Sequence, residues 1–250
     1  MTIQDQRRED TDVRRLARRL RALPDPAVRV GFCRAWVREH EPLVVAEIVL
    51  LAAHRAEARE ASHASLLLAL CLALADAPEV RAAVVQAAVA SGRLHAATLL
   101  TPKPPFRRSE DPVPVPDFGG GRALTLGERK SMARRRDRDL LARVLRDPHP
   151  DVVRILLGNP TMVEADLVRL CARRPLDEAI FREVFRSPRW VFRYPVRRAM
   201  VNNPYCPVDL ALQLAPALTL PDARKVRRAV ELAPALRDTC DRIAGAFTKH

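Results

Sequence analysis

Aromatic residues are scarce in this sequence: 250 residues contain seven Phe, two Trp and two Tyr. Lysine is scarcer within its charge class, with only Lys103, Lys130, Lys225 and Lys249 among 43 basic residues. GC-rich coding produces that arginine bias without any selection for phosphate binding. Strand signals are missing as well. No alternating β-branched run bounded by turns occurs, whereas apolar residues recur at three- and four-residue spacing throughout. The chain is therefore expected to be all-α.

Other absences exclude whole classes of function. The longest apolar runs, such as "ASLLLALCLALA" from Ala64, reach about a dozen residues against the roughly 20 needed to span a bilayer, so no membrane insertion is expected. The start, "MTIQDQRREDTDVRRLARR", has charges where a signal peptide needs an apolar core, and a cytoplasmic location is expected from it. Cys33, Cys71, Cys171, Cys206 and Cys240 form no Cys-x-x-Cys pair, and the six histidines form no HExxH or similar spacing. Neither a metal site nor any other cofactor is expected. There is no P-loop, no Gly-x-Ser-x-Gly elbow and no dinucleotide fingerprint. No catalytic residue is assigned, and an enzyme is not expected.

Charge is what the chain has in excess. The net charge is +13 and is uneven: residues 1–100 hold 14 basic and 12 acidic side chains, residues 101–250 hold 29 and 18. A basic field of this kind draws nucleic acid, anionic surfaces or acidic proteins.

Helix punctuation divides the first half at Pro24 and Pro26, Pro42, Asp76–Pro78 and Ser91–Gly92, predicting helices near 11–22, 26–40, 43–60, 62–76 and 78–90 and a shorter one after Gly92. The segment Ser62–Asp76 is apolar on almost every face and should be central. Then "TPKPPFRRSEDPVPVPDFGGG", residues 101–121, interrupts the pattern with six prolines and a triple glycine. It reads as a spacer, with polyproline recognition as the lesser option. The expected organisation is a helical domain at 1–100, a Pro/Gly-rich linker at 101–123 and a second helical domain at 124–250.

The second half repeats itself. "DVVRILLGNPTMVEADLVRL" and "PVRRAMVNNPYCPVDLALQL" share one plan: a short helix, Asn-Pro, then an acidic residue heading another helix, with the units 44 residues apart. Asn159–Pro160 and Asn203–Pro204 should force turns, because Asn tolerates a left-handed helix end and the following Pro disfavours helix at that Asn. Thr125 with Glu128, and Thr161 with Glu164, have capping-box spacing. Asp209 should sit beside a positive helix end, and Arg135 and Asp139, four apart, should pair. A further helix is expected near 177–186, and two more in the tail, split at Pro234.

The run "LGERKSMARRRDRDLLARVLRDPHPDVVRILLGNPTMVEADLVRLCARRP", with "RYPVRRAMVNNPYCPVDLALQL", resembles bacterial HEAT-like proteins related to the leucine-rich repeat variant group, over roughly residues 124–230. The resemblance implies an α-solenoid of HEAT/armadillo type that binds other macromolecules along a concave face. The cysteine cluster of that group's iron–sulfur member is absent here, so no such cofactor is carried over. Three arginine-rich groups are expected to line one side: Arg129, Lys130, Arg134, Arg135, Arg136 and Arg138; Arg189, Arg193, Arg197 and Arg198; Arg224, Lys225, Arg227 and Arg228.

In "FRSPRWVFRYPVRR", the joint of the second unit is longer than that of the first, 16 residues from Ser187 to Asn203 against 12 from Asp147 to Asn159. Phe181, Phe185 and Phe192 are expected to pack, leaving Trp190, Tyr194, Arg189, Arg193 and Arg197 to face a ligand. The function expected is a non-catalytic interaction module whose partner is an acidic protein or peptide. The alternative is a nucleic-acid binder, remotely similar in charge, length and helicity to the HEAT-like DNA alkylation-repair glycosylases.

Overall fold

A computed structural model of the chain describes residues 3–108, 114–118 and 122–245, with side chains from residue 11 onward. The described residues are helical, with one isolated antiparallel bridge, Pro105 to Pro207, in place of any sheet. No described helix is long and apolar enough to cross a membrane. The chain forms two compact units, and their boundaries differ from the halves expected: one unit is 1–103 with 208–250, the other 104–207.

The larger unit begins with α1 (Ile3–Ala22), α2 (Pro26–Glu39), α3 (Pro42–Glu57), α4 (Ala61–Ala75), α5 (Pro78–Ala90) and α6 (Leu94–Leu100). Proline opens α2, α3 and α5, where its fixed φ suits a first turn and its missing N–H costs nothing. Asp25 caps α2 by accepting from the amides of Ala27 and Val28. As its uniform apolarity predicts, α4 is the centre: Leu66 to Leu74 are all buried, and α1, α2, α3 and α5 pack around it. Fully burying each such leucine contributes about 1.5–3 kcal/mol.

The C-terminal segment belongs to this same unit as α14 (Val208–Leu214), a short 3-10 turn (Ala215–Ala217), α15 (Leu220–Arg228) and α16 (Pro234–Gly245). Contacts far apart in sequence hold it there. Gln213 Nε2 donates to Leu99 O at 2.6 Å, the Lys103 amide donates to Asp209, and Arg59 donates to Leu218 O at 2.7 Å.

The smaller unit contains α7 (Leu126–Arg134), α8 (Arg138–Val144), α9 (Pro150–Leu157), α10 (Glu164–Ala172), α11 (Glu178–Phe185), α12 (Pro188–Val191) and α13 (Tyr194–Val201). The Thr125–Glu128 capping box is present in both directions. The second one is not. Thr161 donates instead to Asn159 Oδ1, and the residue that caps α10 is Val163, whose amide donates to Asp166. Arg135 ends α7 while Asp139 opens α8, so they do not share the helix that an i,i+4 pair requires.

Of the expected linker, residues 109–113 and 119–121, with the triple glycine, lie outside the described residues. Its first part is not a free spacer. Pro105 forms the bridge to Pro207, and the Arg107 amide donates to Pro204 O at 2.9 Å within the smaller unit.

Candidate interaction surface on the smaller unit

The two Asn-Pro turns are built identically, and not as expected. Among the described residues neither Asn159 nor Asn203 adopts positive φ; Arg59 alone does so outside glycine. Each buried Asn acts through its side chain. Asn159 Nδ2 donates to Ala133 O and Arg135 O, both at 2.8 Å, closing the C-terminus of α7, while its Oδ1 accepts from the Thr161 amide. Asn203 Nδ2 donates to Cys171 O at 2.8 Å and Arg173 O at 2.7 Å, closing the C-terminus of α10, while its Oδ1 accepts from the Tyr205 amide. Helix ends leave carbonyls without intrahelical partners, and a buried amide satisfies two of them at once. The 44-residue recurrence is thus a recurrence of the same latch.

Carboxylates hold the elements around the first latch. Asp147, fully buried, accepts from Arg129 Nη1 at 2.8 Å through both oxygens and from the His149 amide at 2.9 Å. Asp166, also buried, accepts from Arg138 at 2.7 and 3.2 Å and from the Val163 amide at 3.1 Å. Burial pulls the Asp166 carboxyl upward, but the Arg138 and Val163 hydrogen bonds and the charges of Arg138 and Arg169 outweigh it and hold the group below its ordinary value.

The longer second joint is α12, a single inserted turn. Trp190 on this turn is 1% exposed, and its Nε1 donates to Leu157 O at 2.8 Å, at the end of α9. This corrects the expectation that Trp190 faces a ligand: the indole fills the joint, and its N–H satisfies a helix-end carbonyl. Arg197 is also turned inward, donating to Phe192 O at 3.0 Å, and burial lowers its pKa with Tyr194 opposing. Tyr194 is half-buried, its ring 5.9 Å from the Arg197 guanidinium. Phe181 and Phe185 are buried as expected, and Phe192 is half-buried.

Two of the three basic groups meet at the first Asn-Pro turn. Arg135 carries one of the carbonyls that Asn159 binds, and Arg138 donates to Thr161 O at 3.0 Å. Arg189 lies 3.5 Å from Asn159 O and 4.4 Å over the Trp190 ring. Arg193 reaches Glu164 at 3.3 Å and lies 5.4 Å over the same ring. Arg134, beside them on α7, donates only to Lys130 O among the described residues. Arg135 and Arg136 are exposed, and their side chains make no hydrogen bond or ion pair among the described residues. Arg129 and Lys130 are spent on Asp147 and Asp151.

The second turn is basic too, through residues that sequence reasoning did not single out. Arg174 donates to Asn202 O at 2.5 Å, Arg107 binds Pro204 O through its amide, and Arg173 donates to Leu145 O at 3.0 Å. The signal for Arg173 and Arg174 was their position, immediately after the helix that Asn203 closes. The third basic group, Arg224, Lys225, Arg227 and Arg228, lies on α15 and belongs to the other compact unit.

Sequence reasoning also passed over a polar cluster in the larger unit. Glu57 accepts from Arg242 at 2.9 and 3.0 Å and lies 3.2 Å from His95 Nε2, and His95 stacks on His54 with centroids 5.4 Å apart. Burial raises the Glu57 carboxyl, but hydrogen bonds and charges from His95 and Arg242 bring it down to about 2. His54 is pushed down by burial and by His95. The five cysteines are buried and form no disulfide with one another, and burial raises Cys33 and Cys171 to about 12. Among the described residues no group of three His, Cys, Asp or Glu is arranged to hold a metal. In comparisons with known proteins, no family model, no curated protein and no solved structure matches the chain.

Proposed function

We propose that the chain is a non-catalytic helical-repeat interaction module, of the HEAT-like kind its sequence resembles, and that its 104–207 unit receives an acidic protein segment at the first Asn-Pro turn. One observation carries the reading: Arg135 and Arg136 stand exposed without carboxylate partners where the Asn159 side chain fixes the Arg135 carbonyl, and Arg189 lies against the carbonyl of that same Asn. Guanidinium groups on a preordered frame bind carboxylates with little further loss of conformational freedom. Single-stranded nucleic acid is the weaker alternative at this surface. Single-stranded binding relies on exposed aromatic faces, and Trp190 is buried beneath two arginines.

The test is a titration of the full chain with a labelled Asp/Glu-rich peptide and, separately, with mixed-sequence duplex DNA, each at low and moderate salt. Replacing Arg135, Arg136 and Arg189 together by Glu should weaken peptide binding about ten- to a hundred-fold. Peptide affinity that survives this change would refute the reading. DNA binding that the peptide cannot displace and that the same variant abolishes would replace it with the nucleic-acid one.

A further inference from the structure

The basic group left on α15 has a setting of its own. An open cleft of about 460 Å³ is lined by Pro221, Arg224, Lys225, Arg228 and Ala229. Three of its five lining residues are cationic, and none is acidic. Arg224 and Arg228 are four apart on one helix, so their side chains project from the same face, an arrangement of like charges that costs helix stability unless something anionic sits between them.

The neighbouring carboxylates are engaged elsewhere. Asp241 of α16 pairs with Arg227 at 2.9 Å, on the part of α15 outside the cleft. Asp222 closes the first turn of α15 with Thr219, and its contact with Lys225 is long, 3.7 Å. Arg224 and Arg228 have no carboxylate partner among the described residues. Pro221 and Ala229 offer no polar side chain to compete for an anion.

We propose that this cleft binds a polyphosphate group, two or more linked phosphates carried by a small molecule or by a lipid headgroup. Guanidinium forks match phosphate oxygens in pairs, and the lysine adds a mobile point charge. The site is open to solvent along one face of α15, which leaves room for the rest of the ligand outside. A single carboxylate cannot engage three separated cations, whereas pyrophosphate, with its charge spread over six terminal oxygens, can. This site and the acidic-segment surface lie in different compact units.

Calorimetric titration of the full chain with pyrophosphate at low salt reads the site directly. Arg224→Gln with Arg228→Gln should weaken binding by about ten-fold or more. Arg15→Gln with Arg18→Gln, which removes the same charge from exposed positions on α1, should leave it within about two-fold. All four positions are exposed, and relieving one like-charge pair is worth about 0.2–0.5 kcal/mol, so neither double variant should lower the melting temperature. Parallel arms use adenosine triphosphate and vesicles containing phosphatidylinositol bisphosphate: displacement of pyrophosphate by the nucleotide assigns a free polyphosphate, and displacement by the vesicles alone assigns a headgroup. Equal losses in the two double variants, unchanged binding in the α15 variant, or sulfate binding as tightly as pyrophosphate would each overturn the proposal.

Discussion

The two units solve the problem of stability differently. The larger unit surrounds one apolar helix, α4, with four others and uses its buried Gln213 and Asp209 to hold the C-terminal segment, whereas in the smaller unit buried Asn159 and Asn203 close helix ends and buried Asp147 and Asp166 take arginines. Charge follows the same division: residues 104–207 carry 21 basic and 13 acidic side chains, and the longer remainder carries 22 and 17. An apolar core is tolerant, since hydrophobic side chains of similar volume exchange at modest cost. A polar latch is not, because removing one partner strands the other in a place without water. The unit with the larger net charge is also the one in which two Asn side chains fix helix ends.

Substitutions can break this contrast. The largest effect is expected from Asp147→Ala, which leaves the Arg129 guanidinium buried without its counter-ion and should cost about 3–5 kcal/mol, with the Arg129→Met/Asp147→Leu double variant recovering most of it. Hydrogen exchange should report the loss in amides of the smaller unit. Leu70→Ala in α4 should cost roughly 2–5 kcal/mol and report in the larger unit, while Leu70→Met should cost less than about 1.5 kcal/mol. Asn159→Ala and Asn203→Ala should each cost about 2–3 kcal/mol by stranding helix-end carbonyls, and their near-equality in urea unfolding would sharpen the claim that the two turns are one motif.

A smaller effect depends on pH. The Glu57 carboxyl titrates at about 2 when folded and near 4.5 when unfolded, so its contribution is fully present above 4.5 and is lost as pH falls toward 2. Glu57→Gln should remove about 2 kcal/mol near neutral pH and flatten the acid limb of the melting curve in that window. The smallest effect belongs to the surface. Arg135→Glu with Arg136→Glu should change stability by less than about 0.5 kcal/mol while lowering acidic-peptide affinity. If stability falls instead, those arginines belong to the frame and not to the interface.

Much of the local structure was legible because local physics sets it. Proline at the first turn, the Thr125–Glu128 pair and the uniform apolarity of α4 each act within a few residues, and each lies where expected. The Asn-Pro recurrence also pointed to equivalent turns, and both Asn residues do leave the helix before Pro, but not in the left-handed conformation expected. A backbone preference was inferred, whereas the side chain works across a gap of 24 to 32 residues to another helix end. Trp190 was misread for a related reason. Flanking arginines suggested a surface, and only the position of Leu157 O shows why the ring is inside. The cluster of Glu57, His95, His54 and Arg242 had no sequence signal, since its members come from α3, α6 and α16.

By itself, the sequence determined that this chain is helical, where most helices start and stop, and that two of its turns are variants of one pattern, because propensity, capping and proline chemistry act over a few bonds. Tertiary structure alone decided that residues 208–250 join the first 103, that two arginine groups share a turn while the third lies in another unit, and that Trp190 is core. Those outcomes depend on which carbonyl or carboxylate arrives from a distant part of the chain, and a buried polar group accepts only the partner that geometry brings within hydrogen-bond reach.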